Sequence, residues 1–260
     1  MKLFRIILVA IAAWLTTQAN SADLTVGANI GNVPWEFQDS SGDYVGFEID
    51  LAKEIGKRLG LSVEIVNIPF NGLFPAVQSG RIDIAISSIT ITDKRLRSVA
   101  FAQPYFDSAQ SLTVLARNPA KTLSDMNDRI IGVDTGSTGD MWTTANSETY
   151  GFKDIRRYEG LAPAMLDLQS GRLHGYISDI PALEYFIKGK QHFKVIERIE
   201  TGERYSMMFA KSNALVQEAN DVISTLKQEG FIAQLHQNWF GSEPALTSST
   251  VQITELPAIH

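Results

Sequence analysis

The spacing of apolar residues near the start of the chain alternates between that of a strand and that of a helix. Residues 24–28 form an apolar run that predicts a strand. From Phe47 to Leu59 apolar residues recur every three or four positions, which predicts a helix, and Gly60 is placed to end it. The chain therefore opens with a strand followed by a helix.

A second strand and helix lead to a third strand. Residues 62–67 alternate as a strand, Asn71 is placed to cap the next helix, and Gly80 is placed to end it. Residues 82–86 are mostly apolar and predict a buried strand. Because strands alternate with helices, we expect a parallel core sheet.

A second series of the same kind follows. Residues 130–133 predict a strand, and residues 134–139 predict a loop that leads into a helix. Another helix is predicted over residues 162–169 and a returning strand over residues 173–177. This second series predicts a second α/β unit.

The two series share sequence as well as rhythm. Residues 78–88 (QSGRIDIAISS) and 169–179 (QSGRLHGYISD) match without a gap at six of eleven positions, 91 residues apart. The alternative to a duplicated unit is convergence on a common helix, glycine and strand turn. In open α/β sheets ligands bind beyond the carboxyl ends of the strands. Two such units would therefore place polar residues at these ends across a cleft.

The order of these elements predicts a two-lobed α/β fold, in which each lobe is a mostly parallel sheet flanked by helices. A strand over residues 205–210 and a helix over residues 215–226 follow the second series, which leaves no length for a third domain. We expect the chain to cross twice between lobes, near residues 105–109 and 201–205. The predicted division is residues 23–107 with 206–241 for lobe 1, 108–205 for lobe 2, and 242–260 for a tail that is surface-lying or disordered.

The first 22 residues have the pattern of a secretory signal peptide. A short basic opening precedes an apolar run over residues 6–15, and small residues offer cut points after Ala19 or Ala22. A membrane-spanning helix is the alternative, but this run has about half of the ~20 apolar residues that a bilayer requires. We therefore expect an exported protein located in the periplasm.

Composition narrows the possible partners. Without residues 1–22, 21 basic side chains stand against 29 acidic ones, a net charge of −8, which disfavours nucleic acid and anionic lipid. The chain has no cysteine, which excludes disulfides, thiolate metal sites and a lipid-modified cysteine anchor. Its four histidines are too scattered to predict a metal site, at positions 174, 192, 236 and 260. We expect no metal, no cofactor and a monomer.

The segment after the third predicted strand offers groups that suit an anion. It runs from Ser87 and Ser88 through Thr90 to Arg95, and Thr92 or Asp93 is placed to cap a helix. Hydroxyls and backbone N–H groups at a helix start bind anions, and an arginine matches a carboxylate with two parallel donors. The alternative is a polar turn followed by a solvated arginine.

Five segments together resemble the extracellular solute-binding protein family 3, the polar amino-acid binding proteins of bacterial ABC transporters. The resemblance covers the chain from about residue 24 to residue 241. The segments are VPWEF at 33–37, GFEIDL at 46–51, IDIAISSITITDKR at 82–95, FAQPY at 101–105 and WFG at 239–241.

The resemblance implies a type II periplasmic binding protein fold that closes on an amino acid by a hinge motion and delivers it to an inner-membrane ABC transporter permease. Arg95 matches the arginine that binds the ligand α-carboxylate, with Thr138 as a donor from the second lobe. Ser88 and Thr90 match positions that contact the ligand backbone, and Asp179 matches the carboxylate that receives the α-ammonium. No residue is expected to be catalytic.

The positions that would surround the ligand side chain depart from the family pattern. Asn29 stands where related proteins have an aspartate, and Asn32 stands where they have an aromatic residue. Phe70 keeps the aromatic wall, and Asp134 would add a negative charge near the ligand tail. Asn29 as a turn residue and Phe70 as a core residue are the alternatives. We expect a cationic or amide-bearing L-amino acid or derivative.

An enzyme on the same fold is the alternative function. The resemblance includes periplasmic cyclohexadienyl dehydratases, in which a cleft carboxylic acid with a raised pKa protonates a leaving group. In this chain a nearby arginine is expected to keep Asp179 ionised, which argues against that chemistry. The acidic residues Glu48, Asp50 and Glu54 fall on or beside one helical face and are expected to be solvated.

Overall fold

A computed structural model describes residues 22–259 of the chain. Apart from Ala22, the predicted signal peptide lies outside the described residues, so it stays a prediction. Within residues 22–259, none of the helices combines the length and the apolar character needed to cross a bilayer.

The described residues form twelve strands, eight α-helices and one 3₁₀ helix. The first half comprises β1 (Leu24–Ala28), β2 (Phe37–Gln38), β3 (Tyr44–Val45), α1 (Phe47–Leu59), β4 (Val63–Asn67), α2 (Phe70–Gln78), β5 (Ile84–Ile86), α3 (Asp93–Leu96), β6 (Val99–Phe101) and β7 (Phe106–Leu115). The second half comprises a 3₁₀ helix (Leu123–Met126), β8 (Ile130–Asp134), α4 (Thr138–Tyr150), β9 (Asp154–Tyr158), α5 (Leu161–Gln169), β10 (Gly175–Asp179), α6 (Ile180–Ile187), β11 (Phe193–Tyr205), β12 (Met208–Ala210), α7 (Leu215–Gln228) and α8 (Phe231–Phe240).

Two five-stranded sheets share one topology. The first has the order β4-β1-β5-β12-β6 and the second the order β9-β8-β10-β7-β11. In each, the first three strands are parallel, and the fourth runs antiparallel to both of its neighbours. Four of the five strands in each sheet therefore point the same way.

Each antiparallel strand arrives from the other sheet. The chain leaves the first sheet after β6, crosses through residues 102–105 and enters the second sheet as β7. It returns from β11 through residues 206–207 to β12. The two sheets are thus joined by two short crossings at the base of β7 and β11, whose ends pair as Tyr205 with Phe106. The exact limits of the two lobes stay a prediction.

The predicted elements recur in the structure with small differences in their ends. Gly60 ends α1 in the left-handed conformation, as expected. The predicted cap at Asn71 is wrong, because α2 already begins at Phe70 behind Pro69. The single strand predicted over residues 205–210 is interrupted, since the chain passes there from one sheet to the other.

An aromatic cluster lies where the two sheets meet. Trp35 is fully buried, and its ring centroid lies 4.5 Å from that of Phe106 in β7 and 5.3 Å from that of Tyr205 in β11. Phe47 from α1 and Phe240 from α8 contact the same indole at 5.5 and 5.0 Å. Because these rings come from four elements, burial of Trp35 fixes α1 and α8 against the crossing strands.

The loop before α1 shapes the start of that helix. The N–H groups of Phe47 and Glu48 donate to the carbonyls of Pro34 and Trp35, each at 3.0 Å. Gly46 has φ +136°, and a Cβ there would lie 2.2 Å from the Trp35 carbonyl oxygen. Only glycine permits this approach. The loop therefore covers the first turn of α1 and buries the side chain of Glu48 completely, so the prediction that Glu48 is solvated is wrong.

The tail after α8 contains no helix or strand within residues 242–259, yet it packs against the inter-sheet crossing. Ser249 is buried, and both its N–H and its hydroxyl donate to the Asp107 carboxylate at the start of β7. The Lys227 ammonium donates to the carbonyls of Pro104 and Gln252 at 2.7 and 2.8 Å. These contacts hold the irregular tail against the rest of the protein, as expected for a surface-lying tail and not for a disordered one.

The aromatic cluster yields a stability prediction. Trp35→Ala should lower the free energy of unfolding by about 3–5 kcal/mol, because it leaves a cavity among four rings. Leu166→Ala, at a side chain that is 64% exposed, is the control and should change stability by less than about 0.5 kcal/mol. Denaturant unfolding of both variants measures the difference, and similar losses would contradict the role assigned to Trp35.

Candidate functional site

One cavity is lined by residues that follow strands of both sheets. Asn29 follows β1 and Ser88 follows β5, while Asp134 ends β8 and Asp179 ends β10. The wall includes all ten residues singled out from the sequence: Asn29, Asn32, Phe70, Ser87, Ser88, Thr90, Arg95, Asp134, Thr138 and Asp179. The carboxyl ends of the parallel strands thus converge on one site.

Two contacts between side chains join the two halves across this cavity. The Ser88 hydroxyl donates to Oδ2 of Asp179 at 3.2 Å. These two residues occupy equivalent positions of the repeated sequence, 91 residues apart. The hydroxyls of Thr90 and Thr138 lie 3.5 Å apart. The walls of the cavity are therefore within hydrogen-bond reach of each other, as in a closed cleft.

Arg95 provides the positive charge of the site. It is buried in α3, where Thr92 caps the helix by accepting from the Arg95 N–H at 3.2 Å. Its Nη1 donates to the Thr90 carbonyl at 2.7 Å, and its Nη2 donates across the cleft to the Gly136 carbonyl at 3.3 Å. A guanidinium has five N–H donors, so these bonds leave donors for a ligand. Burial lowers the pKa of Arg95 to about 10, and the group stays charged at neutral pH.

Asp179 belongs to a group of buried negative charges. Its Oδ1 accepts from Nε2 of Gln110 in β7, and the same nitrogen lies 3.0 Å from each carboxylate oxygen of Glu203 in β11. Glu203 is 2% exposed. A register shift between Ile199 and Glu203 interrupts the pairing of β11 with β7 at this point. Such a bulge redirects side chains, and this one coincides with an inward carboxylate.

The negative cluster changes the titration of Asp179. Burial raises the pKa of Asp179 well above its ordinary value, and the charge of Glu203 raises it further. The expectation that an arginine keeps Asp179 ionised is wrong for this structure, because Arg95 directs two of its donors to backbone carbonyls. A positive group placed beside Asp179 would favour its ionised form.

The first turn of α4 faces the same cavity. Ser137 caps this helix by accepting from the Asp140 N–H at 3.0 Å, and Thr138 is its first residue. The first N–H groups of a helix have no acceptor within the helix, and the helix dipole favours an anion there. α4 packs closely against the second sheet, since a Cβ on Gly139 would lie 2.6 Å from Oε1 of Gln110. Arg95 and the start of α4 thus form an anion-binding corner.

Asp134 is another acidic residue in the wall of the cavity. Its Oδ2 accepts from the hydroxyls of Tyr176 at 2.6 Å and Ser178 at 3.3 Å. Its Oδ1 is buried and has no hydrogen-bond partner in the described part of the chain. Burial raises the pKa of Asp134 to about 6. Asp134 also lines the cavity, so its carboxylate favours a cationic or amide group placed there.

The remaining predicted side-chain contacts differ in their surroundings. The Phe70 ring centroid lies 5.5 Å from the Arg95 guanidinium carbon, so this ring covers the cation as well as the cavity. Asn32 lines the cavity, but its Nδ2 already donates to Glu36 at 2.9 Å and to the Ser88 hydroxyl at 3.1 Å. Asn29 contributes its N–H to the Ser87 hydroxyl at 3.2 Å. The Asn32 amide therefore stabilises the arrangement of Glu36 and Ser88 more than it contacts a ligand.

The sequence interpretation missed several residues of this site. Gln110 and Glu203 lie on the crossing strands, and both are buried. Glu36 and Glu48 are fully buried beneath Ser87 and Ser88 and accept hydrogen bonds from them. The alternation along residues 106–115 could have predicted an inward Gln110, whereas the irregular pattern of β11 gave no such indication for Glu203. Within residues 22–259 no group of three or more His, Asp or Glu side chains is placed to hold a metal ion.

The fold and this site agree with one protein family. Residues 24–242 match the bacterial extracellular solute-binding proteins, family 3, and the chain belongs to this family. The L-cystine-binding protein TcyJ of Escherichia coli (strain K12) is 27% identical over 224 residues, which is 85% of this chain and 83% of that protein.

Solved structures extend the comparison to the arrangement of the lobes. An ancestral arginine-binding protein bound to arginine has a TM-score of 0.80 and 32% identity, covering 84% of this chain and 98% of that chain. A substrate-binding protein of an ABC uptake transporter from Streptococcus pneumoniae with bound histidine has a TM-score of 0.81 and 26% identity, covering 85% and 94%. The predicted two-lobed type II fold is thereby confirmed.

The titration of Asp134 yields a prediction for stability against pH. A carboxyl whose folded pKa is raised from 3.8 to about 6 stabilises the fold most at low pH, and this contribution is lost as pH rises through 6. Asp134→Asn should therefore raise the free energy of unfolding by about 1–3 kcal/mol at pH 7.5 and by much less near pH 4. Asp154→Asn is the exposed control and should change little at either pH. A gain for Asp134→Asn that is equal at both pH values would contradict the buried, ionised carboxylate.

Proposed function

We propose that this chain is the periplasmic substrate-binding protein of an ABC importer and binds a polar L-amino acid with a cationic or amide-bearing side chain. The observation that carries this proposal is the charge pattern of the cavity. Arg95 and the start of α4 present donors at one end, and Asp179 with Glu203 presents buried negative charge nearby. An α-amino acid carries the two complementary charges on adjacent groups.

The proposed binding mode places the ligand backbone between the lobes. The α-carboxylate contacts the free donors of Arg95 and the start of α4 at Thr138, with Ser88 and Thr90 beside it. The α-ammonium contacts Asp179 and offsets the repulsion between Asp179 and Glu203. Because Arg95 belongs to one half and Asp179 to the other, the ligand stabilises the closed form by bridging them.

The ligand side chain is proposed to lie between Phe70, Asn29 and Asp134. The Asp134 carboxylate in the cavity wall supports a tail with N–H donors. A guanidinium, ammonium or imidazolium would form a charge-assisted hydrogen bond there, and the Phe70 ring would add cation–π attraction. Relatives named for arginine, histidine and cystine are consistent with a polar ligand.

Location and partner follow from the same proposal. The predicted signal peptide and the extracellular family support export to the periplasm. Delivery of the ligand to an inner-membrane permease is the role expected of such a protein. The chain would act as a binding protein without catalysis.

A cyclohexadienyl dehydratase-like enzyme is the second candidate, and the raised pKa of Asp179 favours it because a general acid must hold a proton. The two functions are separated by incubating the purified protein with cyclohexadienyl substrates and, separately, with amino acids in calorimetry. We expect saturable amino-acid binding and no aromatic product. Turnover that is lost in Asp179→Asn, with no amino-acid binding, would favour the enzyme.

The proposed contact between Asp179 and the ligand α-ammonium gives a direct prediction. Asp179→Asn should weaken every bound L-amino acid by about 2–5 kcal/mol, because it leaves the ammonium without its negative partner in a buried site. Asp154→Asn removes an exposed carboxylate outside the cavity and is the matched control. Isothermal titration calorimetry measures both variants. Undiminished affinity in folded Asp179→Asn would contradict the contact between Asp179 and the α-ammonium.

The tail contact predicts a pH-dependent preference. Protonation of Asp134 near its pKa of about 6 removes the charge that holds a cationic tail. The affinity ratio of arginine to glutamine should therefore fall by up to about tenfold between pH 7.5 and pH 5. Asp179 acts on both ligands alike, so the ratio isolates Asp134. In Asp134→Asn the ratio should be lower at pH 7.5 and should no longer change with pH, whereas an unaltered ratio would place Asp134 outside the tail contact.

A further inference from the structure

Beneath the cavity lies a pair of carboxyl side chains that the proposed ligand does not reach. Glu36 precedes β2 and Glu48 lies in the first turn of α1, and both are fully buried. They contact neighbouring residues of one turn, because Glu36 accepts from the Ser87 hydroxyl at 2.6 Å and Glu48 accepts from the Ser88 N–H at 2.8 Å. Two carboxyl groups can share a hydrogen bond only when one of them holds a proton.

The contacts of each oxygen decide which residue is protonated. Oε1 and Oε2 of Glu48 accept from the Tyr105 hydroxyl and from the Ser88 N–H, the latter at 2.8 Å. Oε1 of Glu36 accepts from the Ser87 hydroxyl at 2.6 Å, but its Oε2 has no donor in the described part of the chain. A charged Glu36 would leave a buried anionic oxygen without a donor, whereas a neutral Glu36 has a hydroxyl that is free to donate toward Glu48. Glu48 is therefore the ionised member.

The pair is connected to the cavity through Ser88. This residue has φ +46°, a left-handed conformation that is costly for a residue with a side chain. Its N–H points to Glu48, and its hydroxyl contacts Asp179 across the cleft. Asn32, which donates to the Ser88 hydroxyl, is itself held by Glu36. Charged Glu48 thus holds the Ser88 N–H, and neutral Glu36 holds the Ser88 hydroxyl through Asn32.

We propose that Glu36 and Glu48 are positioning residues that share one proton and hold Ser88 and Asn32 in the geometry that binds the ligand. The inference rests on the proposed function for its binding consequence, whereas the shared proton stands independently of any ligand. The titratable groups that face the pair are the two carboxyls themselves and Tyr105. Burial, followed by the charge of Glu48, raises the pKa of Glu36, which agrees with a neutral Glu36.

Two isosteric variants separate the roles of the two acids. Glu36→Gln replaces the O–H donor by an N–H donor and should keep arginine affinity within about threefold of wild type. Glu48→Gln puts an amide group where the Ser88 N–H and the Tyr105 hydroxyl both need acceptors, and should weaken arginine about ten- to hundredfold. Glu218→Gln on the exposed side of α7 is the matched control for loss of one carboxyl. Equal losses in Glu36→Gln and Glu48→Gln would overturn the asymmetric pair.

The proton itself is tested without ligand. Carbon-13 NMR of glutamate carboxyl groups at pH 7 should show one protonated side chain in the wild type, and Glu36→Gln should lack it. Because the folded pKa of Glu36 is raised, wild-type stability should fall relative to Glu36→Gln as pH rises above the ordinary pKa of a glutamic acid. Two ionised carboxyls at pH 7 would overturn the shared proton even if Glu48→Gln failed to fold. Failure of the wild type to bind any amino acid, with the proton present, would instead reject the proposed function alone.

Discussion

Buried negative charge between the two sheets is the constraint on which the arrangement of the site depends. The amide nitrogen of Gln110 bridges Asp179 and Glu203. Among the described residues of the cavity, Arg95 is the only buried cation beside them. Burial and the charge of Glu203 raise the pKa of Asp179, and a ligand that brings a positive charge is therefore favoured beside it. A zwitterion satisfies the cluster and Arg95 together, which is why the charge pattern points to an amino acid more strongly than any single side chain does.

The crossing strands connect this charge to the two segments that join the lobes. Gln110 lies on β7 and Glu203 on β11, and these strands are the continuations of the two inter-sheet crossings. At their base, Phe106 and Tyr205 stack on each other and pack against Trp35 of the first half. Ligand contacts at Asp179 are thus linked through Gln110 to the strands about which the halves would rotate. A tail anchored on Asp107 covers the same region from outside.

The local sequence pattern was sufficient to predict the core strands and the residues that line the site, because both depend on short-range features. The apolar runs that became β1, β5 and β8 are buried on both faces, and the repeated turn placed Ser88 and Asp179 at equivalent strand ends. The family resemblance then supplied roles that spacing alone left open for Arg95. The confirmed fold class shows that these features carry most of the architecture.

The remaining features depend on long-range packing that no local pattern reports. Glu48 occupies a helix position that resembles a solvated face, and it is buried because the fold places Ser88 and Tyr105 against its carboxylate. Glu203 turns inward at a bulge, which breaks the alternation by which β11 might have been predicted. The tail lacks periodicity, yet buried hydrogen bonds at Ser249 order it.

A crystal structure of the protein grown with arginine would test the proposed binding mode most directly. We expect the α-carboxylate within hydrogen-bond distance of the Arg95 guanidinium, the α-ammonium on Asp179, and the guanidinium tail toward Asp134 and Phe70. A ligand bound in the opposite orientation, or outside this cavity, would contradict it.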